Sequence, residues 1–170
     1  MMGDHFQGQI TIGGRVTAEQ WKRIVEIEEL FDGFDPATRE SSGIGDHEFW
    51  MSRDGDGTGG TLTLSDPQAS GGEFYTLEAY LVEQHIPFDR LASCDYGFMA
   101  MLAIYRPGMD DKLETSTDSD GDHYVLVSDL RRFLATIGEP GEHLDILGHG
   151  WEMERIQREQ PLPDFEYVAE

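Results

Sequence analysis

The longest uninterrupted apolar stretch runs over residues 98–105, Phe-Met-Ala-Met-Leu-Ala-Ile-Tyr. It falls far short of the roughly 18 apolar residues that a membrane span needs. Residues 99–105 therefore read as a central strand buried on both faces, closed by Pro107-Gly108. A strand of that kind needs a sheet around it and apolar cover on each side. The chain has 170 residues, enough for one domain with a sizeable core and no metal or disulfide staple.

The other elements follow from periodicity and punctuation. Residues 9–12 alternate and form a first strand that ends at Gly13-Gly14. Thr17 and Gln20 have capping-box spacing, and Trp21, Ile24, Val25 and Phe31 recur at helical spacing, so a helix follows until Gly33 and Pro36. Residues 36–60 are rich in Gly, Ser and Asp and form an excursion with a short strand at 47–52. Residues 61–64 alternate as the next strand. A second helix spans 74–85 and stops before Pro87, with a short strand at 88–91. Residues 124–127 are the expected hairpin partner of the central strand, and a third helix spans 130–137, capped by Ser128 or Asp129 and ended by Gly138.

The resulting order is β-α-β-α-β-β-α. It predicts an α+β fold, a two-layer sandwich with a mixed sheet of about four strands and three helices, plus a C-terminal helical segment. Residues 1–141 form the single domain, 142–160 the helical segment docked on it, and 161–170 a flexible tail.

The charge balance narrows the function. Asp and Glu number 34 against 12 Lys and Arg, a formal net charge of -22. Binding to nucleic acid rests on cations that neutralise phosphates, so direct nucleic-acid binding is not expected. Docking on anionic lipid is opposed in the same way. Cys94 is the one cysteine, which excludes an internal disulfide and fits a reducing, cytoplasmic setting. Residues 1–9 hold no basic segment and no long apolar segment, so no secretory signal is read there.

Motifs for chemistry are sparse. Asp118-Ser119-Asp120-Gly121-Asp122 sets carboxylates at alternate positions, as a calcium loop does. His123 stands where that loop needs its turn glycine, and Asp129 is shorter than the usual closing Glu. A tight acidic turn around Asp-Gly explains the same residues. Asp54-Gly55-Asp56-Gly57 has the glycine but no closing acid. The histidines (His5, His47, His85, His123, His143 and His149) include no His-Glu-x-x-His pair, and no Cys-x-x-Cys exists. The glycine runs at Gly43-Ile44-Gly45 and Gly57-Thr58-Gly59-Gly60 match no phosphate loop, and no nucleophile elbow occurs. No catalytic residue, metal site or cofactor is therefore assigned.

The acids themselves remain as the functional signal. Carboxylates about one helical turn apart approach the spacing of backbone phosphates, so an acidic face can occupy a site made for DNA or RNA. The expected contact residues are Glu26, Glu29 and Asp32 at the first helix and Asp118, Asp120 and Asp122 on the hairpin. Trp151 is the expected aromatic anchor, with Trp50 as a further candidate.

The most distinctive wording lies in residues 66–108: Gly72-Glu73-Phe74, Leu77-Glu78, Ile86-Pro87-Phe88-Asp89-Arg90 and Tyr105-Arg106-Pro107-Gly108. It resembles small acidic proteins encoded on plasmids and phages. In size and charge the chain is similar to anti-CRISPR and anti-restriction inhibitors. The resemblance implies a mobile-element protein, not an enzyme, that occludes a basic nucleic-acid-binding host protein. The alternatives are an immunity or antitoxin protein that neutralises a basic toxin, and a calcium-binding domain.

Overall fold

The computed structural model describes residues 5–28, 48–51, 60–70, 72–93, 100–118, 122–124, 126–136 and 149–169. Their elements are β1 (His5–Ile12), β2 (Gly14–Thr17), α1 (Ala18–Glu28), β3 (Glu48–Met51), β4 (Leu62–Ser70) and α2 (Tyr75–Glu83). They continue with β5 (Phe88–Ala92), β6 (Ala100–Tyr105), β7 (Leu113–Thr117), α3 (Val127–Thr136), α4 (His149–Glu159) and β8 (Phe165–Val168). The fold is α+β. No helix among the described residues is long and apolar enough to cross a membrane.

Six strands form one sheet in the order β3-β4-β1-β5-β6-β7, and every neighbouring pair is antiparallel. The expected mixed sheet of about four strands is corrected on both counts. Among the described strands, parallel pairing is that of β2 with β8, in a separate two-stranded sheet. Residues 161–170, expected to be a flexible tail, contain the β8 strand. Its entry needs glycine: a Cβ on Gly13 would stand 2.1 Å from the Pro163 carbonyl oxygen, and Gly14 has φ +76.

Register decides which side chains meet. Ile10 faces Leu64 on one neighbour and Arg90 on the other, and Ile12 faces Leu62 and Phe88. Phe88 in turn faces Tyr105. These residues share one face by strand alternation. Trp21 and Ile24 of α1, Leu77 and Leu81 of α2, Val16 and Phe165 close that face into the larger core. Each such aliphatic or aromatic side chain stabilises the fold by roughly 1.5–3 kcal/mol when fully buried.

The opposite face carries Leu102 and Ile104 of β6, and Met153 and Ile156 of α4 pack there with Leu91 and Leu113 beside them. Helices therefore cover both faces, which corrects the two-layer expectation. The expected burial on both faces holds, since β6 is buried except for half-buried Met101 between α2 and α4, but the strand stands next to the edge strand β7 and not at the centre of the sheet.

Local chemistry accounts for the helix ends. Thr17 accepts from the Gln20 backbone N–H at 3.3 Å, and Gln20 Oε1 accepts from the Thr17 N–H at 3.0 Å, which completes the capping box. α2 starts at Phe74 with no side-chain cap from that residue. Glu78, one turn later, accepts the Phe74 N–H at 3.0 Å instead.

One hairpin is misassigned by the sequence pattern. β6 pairs with β7, Leu113–Thr117, and not with residues 124–127. In that second segment Val127 begins α3, so Ser128 and Asp129 lie inside the helix rather than capping it. The Leu126 carbonyl accepts the first helical N–H, from Leu130, at 2.9 Å. Among the described residues between β7 and α3, His123 reaches β7 through a single bridge to Thr117.

Candidate interaction surface

Two buried ion-pair systems set where charge is available outside. Arg90 points into the larger core from β5 and is fully buried. Its Nε donates to Glu78 Oε1 at 3.1 Å, one terminal nitrogen donates to Glu114 at 2.6 Å, and the other donates to the Met101 carbonyl at 3.2 Å. Lys112 completes the group through Glu78 and Glu114. Glu78 is 1% exposed, and each of its carboxylate oxygens meets a cation inside the protein. Burial opposes the charge on Lys112. The Glu78 hydrogen bond and the charges of Glu78 and Glu114 outweigh that opposition and hold its pKa above the ordinary lysine value.

The second system centres on Arg106, at the end of β6 and also buried. It holds Asp89 with two bonds, at 2.6 and 3.2 Å. It also donates to the carbonyls of Phe88, Tyr105 and Gln160. Gln160 follows the last turn of α4, so a cation sits at the negative end of that helix and ties it to the sheet.

The sequence alone assigns no structural role to Arg90, Arg106, Lys112 or Glu114. One signal was present. In Phe88-x-Arg90-x-Ala92 the arginine occupies the inward position of an alternating strand, where a charge must find a partner. Together these systems match Arg90, Arg106 and Lys112 with Glu78, Glu114 and Asp89. The interior is balanced, and the formal excess of -22 stays with the rest of the chain.

The expected contact residues separate into two groups. Glu26 lies on α1, which covers the larger core. It is exposed and pairs with Arg23 at 3.1 Å. It borders a groove of about 560 Å³ together with Glu19, Lys22, Arg23 and Tyr80, so charge of both signs lines this face. Glu29 and Asp32 lie outside the described residues.

Asp118 and Asp122 are joined just beyond β7, and Trp151 lies on α4, which packs on that side of the sheet. Asp118 Oδ1 accepts the Asp122 N–H at 2.9 Å, and the Asp118 N–H donates to the Asp122 carbonyl at 2.9 Å. These two bonds tie Asp118 to Asp122, and the Asp-Gly pair between them lies outside the described residues. Asp120 lies outside the described residues. His123 then packs on Gly150 in the first turn of α4, where a glycine Cβ would meet its side chain at 3.2–3.4 Å. Trp151 is the next residue and is 41% exposed. Exposed Glu152 follows in the same helical turn, where the helix dipole favours a carboxylate. The side chain of Trp50 on β3 is not among the described features.

Among the described residues no group of His, Cys, Asp and Glu is arranged to hold a metal ion. No known protein family matches the chain, and no curated protein and no solved structure shows significant similarity to it.

Proposed function

We propose that this chain is a stoichiometric, cytoplasmic inhibitor from a mobile genetic element. It occludes the basic nucleic-acid-binding surface of a host defence complex, of the CRISPR or restriction type. The observation that carries this reading is the junction of the acidic turn with α4. There the turn that Asp118 and Asp122 close leads into His123, which packs on Gly150, the residue before a half-exposed tryptophan. An aromatic anchor with a charged rim has the anatomy of a protein interface. Arg155, one turn on from Trp151, is paired with Glu159 at 2.9 Å, which leaves the acids Asp118, Asp122 and Glu152 to suit a cationic partner and fast, salt-sensitive association.

The test is a tagged pull-down from nuclease-treated host lysate, loaded at low salt and eluted by a salt step. A basic nucleic-acid-binding protein should elute. Trp151→Ala combined with Asp122→Lys should remove it, whereas Asp118→Asn should retain much of it, because the amide oxygen still accepts the Asp122 N–H. A folded bait that captures nothing at low salt overturns the reading for that host.

A further inference from the structure

The groove between α1 and α2 rests on a fixed relay of hydrogen bonds. The Thr17 backbone N–H donates to Gln20 Oε1 at 3.0 Å. A backbone N–H can only donate, so the free end of that amide is Nε2, and it donates to Gln84 Oε1 at 3.4 Å. The Gln84 amide thus has its oxygen engaged and its N–H donors left over, where it lines the groove. Tyr80, one turn earlier on α2, lines it too. Burial above all, then the charges of Glu19 and Glu83, hold the Tyr80 pKa above the ordinary phenol value against the pull of Arg23. The hydroxyl therefore stays a donor.

Glu19, Lys22, Arg23 and Glu26 recur at spacings of three and four and form one stripe of α1 along the same groove. Arg23 is paired with Glu26 through one terminal nitrogen. Among the described residues Lys22 and Glu19 make no ion pair. The volume of about 560 Å³ is that of a small-molecule site. Its unspent groups are mostly donors: the Gln84 amide, the Tyr80 hydroxyl, Lys22 and the remaining N–H groups of Arg23. They call for anionic oxygens. Glu19, and a chain of net charge -22 as a whole, repel a ligand that arrives as a net anion. A carboxylate that carries its own ammonium arrives neutral, and Glu19 can accept from that ammonium.

We propose that the α1–α2 groove binds a small zwitterion of the free amino-acid class, its carboxylate received by Lys22 and the Gln84 amide and its ammonium by Glu19. The same charges disfavour a phosphate or a dicarboxylate. The groove lies on the side of the larger core, and α4 packs on the opposite face of the sheet. Binding here is therefore separate from partner binding at Trp151.

Titration of the isotope-labelled full chain with glycine and with glutamine tests this, read from the side-chain amide signals of Gln20 and Gln84. Both should give saturable shifts, with dissociation constants on the order of millimolar, and glutamine should bind more tightly because it fills more of the groove. Acetate and methylammonium at matched ionic strength should leave the signals in place, since each carries half of the charge pattern. Lys22→Ala and Gln84→Met should each raise the dissociation constant roughly five- to tenfold. Lys22 is exposed, so its removal leaves the core intact and far-UV circular dichroism unchanged. No saturable shift with either amino acid overturns the proposal. Equal binding of acetate or inorganic phosphate also overturns it, by marking a general anion site. Binding that survives both substitutions places the zwitterion elsewhere and overturns it as well.

Discussion

Arg90 is a fully buried cation whose terminal and Nε nitrogens all have acceptors. Truncating it leaves Glu78 in the core with Lys112 as its only cation. Arg90→Met should therefore destabilise by roughly 3–5 kcal/mol, the usual result of breaking a buried pair from one side. Urea melts measure this, and Arg90→Met with Glu78→Gln should recover part of the loss. Lys112 adds a pH dependence. Its folded pKa is raised, so its contribution is complete below the ordinary lysine value of 10.5 and fades as pH climbs through the folded pKa. Tyr80 and Tyr105 act in the same direction, chiefly because burial disfavours their phenolates. Stability measured by urea should thus decline in alkali earlier for the wild type than for Lys112→Met, taken relative to each protein's own neutral value. Equal alkaline profiles would remove Lys112 from this account.

α4 is held by few contacts for its length. Met153 and Ile156 are its buried apolar anchors, and Arg106 binds the carbonyl just beyond its last turn. Lysine has no planar fork, so Arg106→Lys cannot hold Asp89 and three carbonyls together. Amide exchange should then accelerate across α4 while β1 and β5 stay protected. Uniform acceleration would mean that Arg106 supports the whole sheet instead. Elements like α1 were legible because their signals are local: the Thr17–Gln20 capping box and the Trp21–Ile24 spacing need no distant partner. The β6 hairpin was not. Residues 124–127, Tyr-Val-Leu-Val, look more strand-like than Leu-Glu-Thr-Ser-Thr, yet the latter pairs, in a register where Glu114 meets Arg90 and Lys112 meets Glu78. β8 was missed for a related reason, since its partner lies at the other end of the sequence. At the acidic junction, sequence supplied Asp118, Asp122 and Trp151 as separate candidates. The Gly150–His123 contact that unites them is tertiary.

Across the whole molecule, an excess of -22 repels itself wherever internal cations do not neutralise it. Moderate salt should raise the thermal midpoint at neutral pH even without a partner, and flat midpoints from low to moderate ionic strength would argue that the acids are too dispersed to interact. The parallel pairing of β2 with β8 carries a consequence of a different kind. Gly14 meets Phe165, and Phe165 touches Trp21 edge-on at 6.3 Å between ring centres. Closing so long a span of chain is entropically slow compared with forming the β5–β6 hairpin or α1. β8 should therefore dock after the rate-limiting step: Phe165→Ala should speed unfolding and leave the folding rate almost untouched. The strand that locks Trp21 in place would then govern how long the protein survives once folded, and have little say in how quickly it gets there.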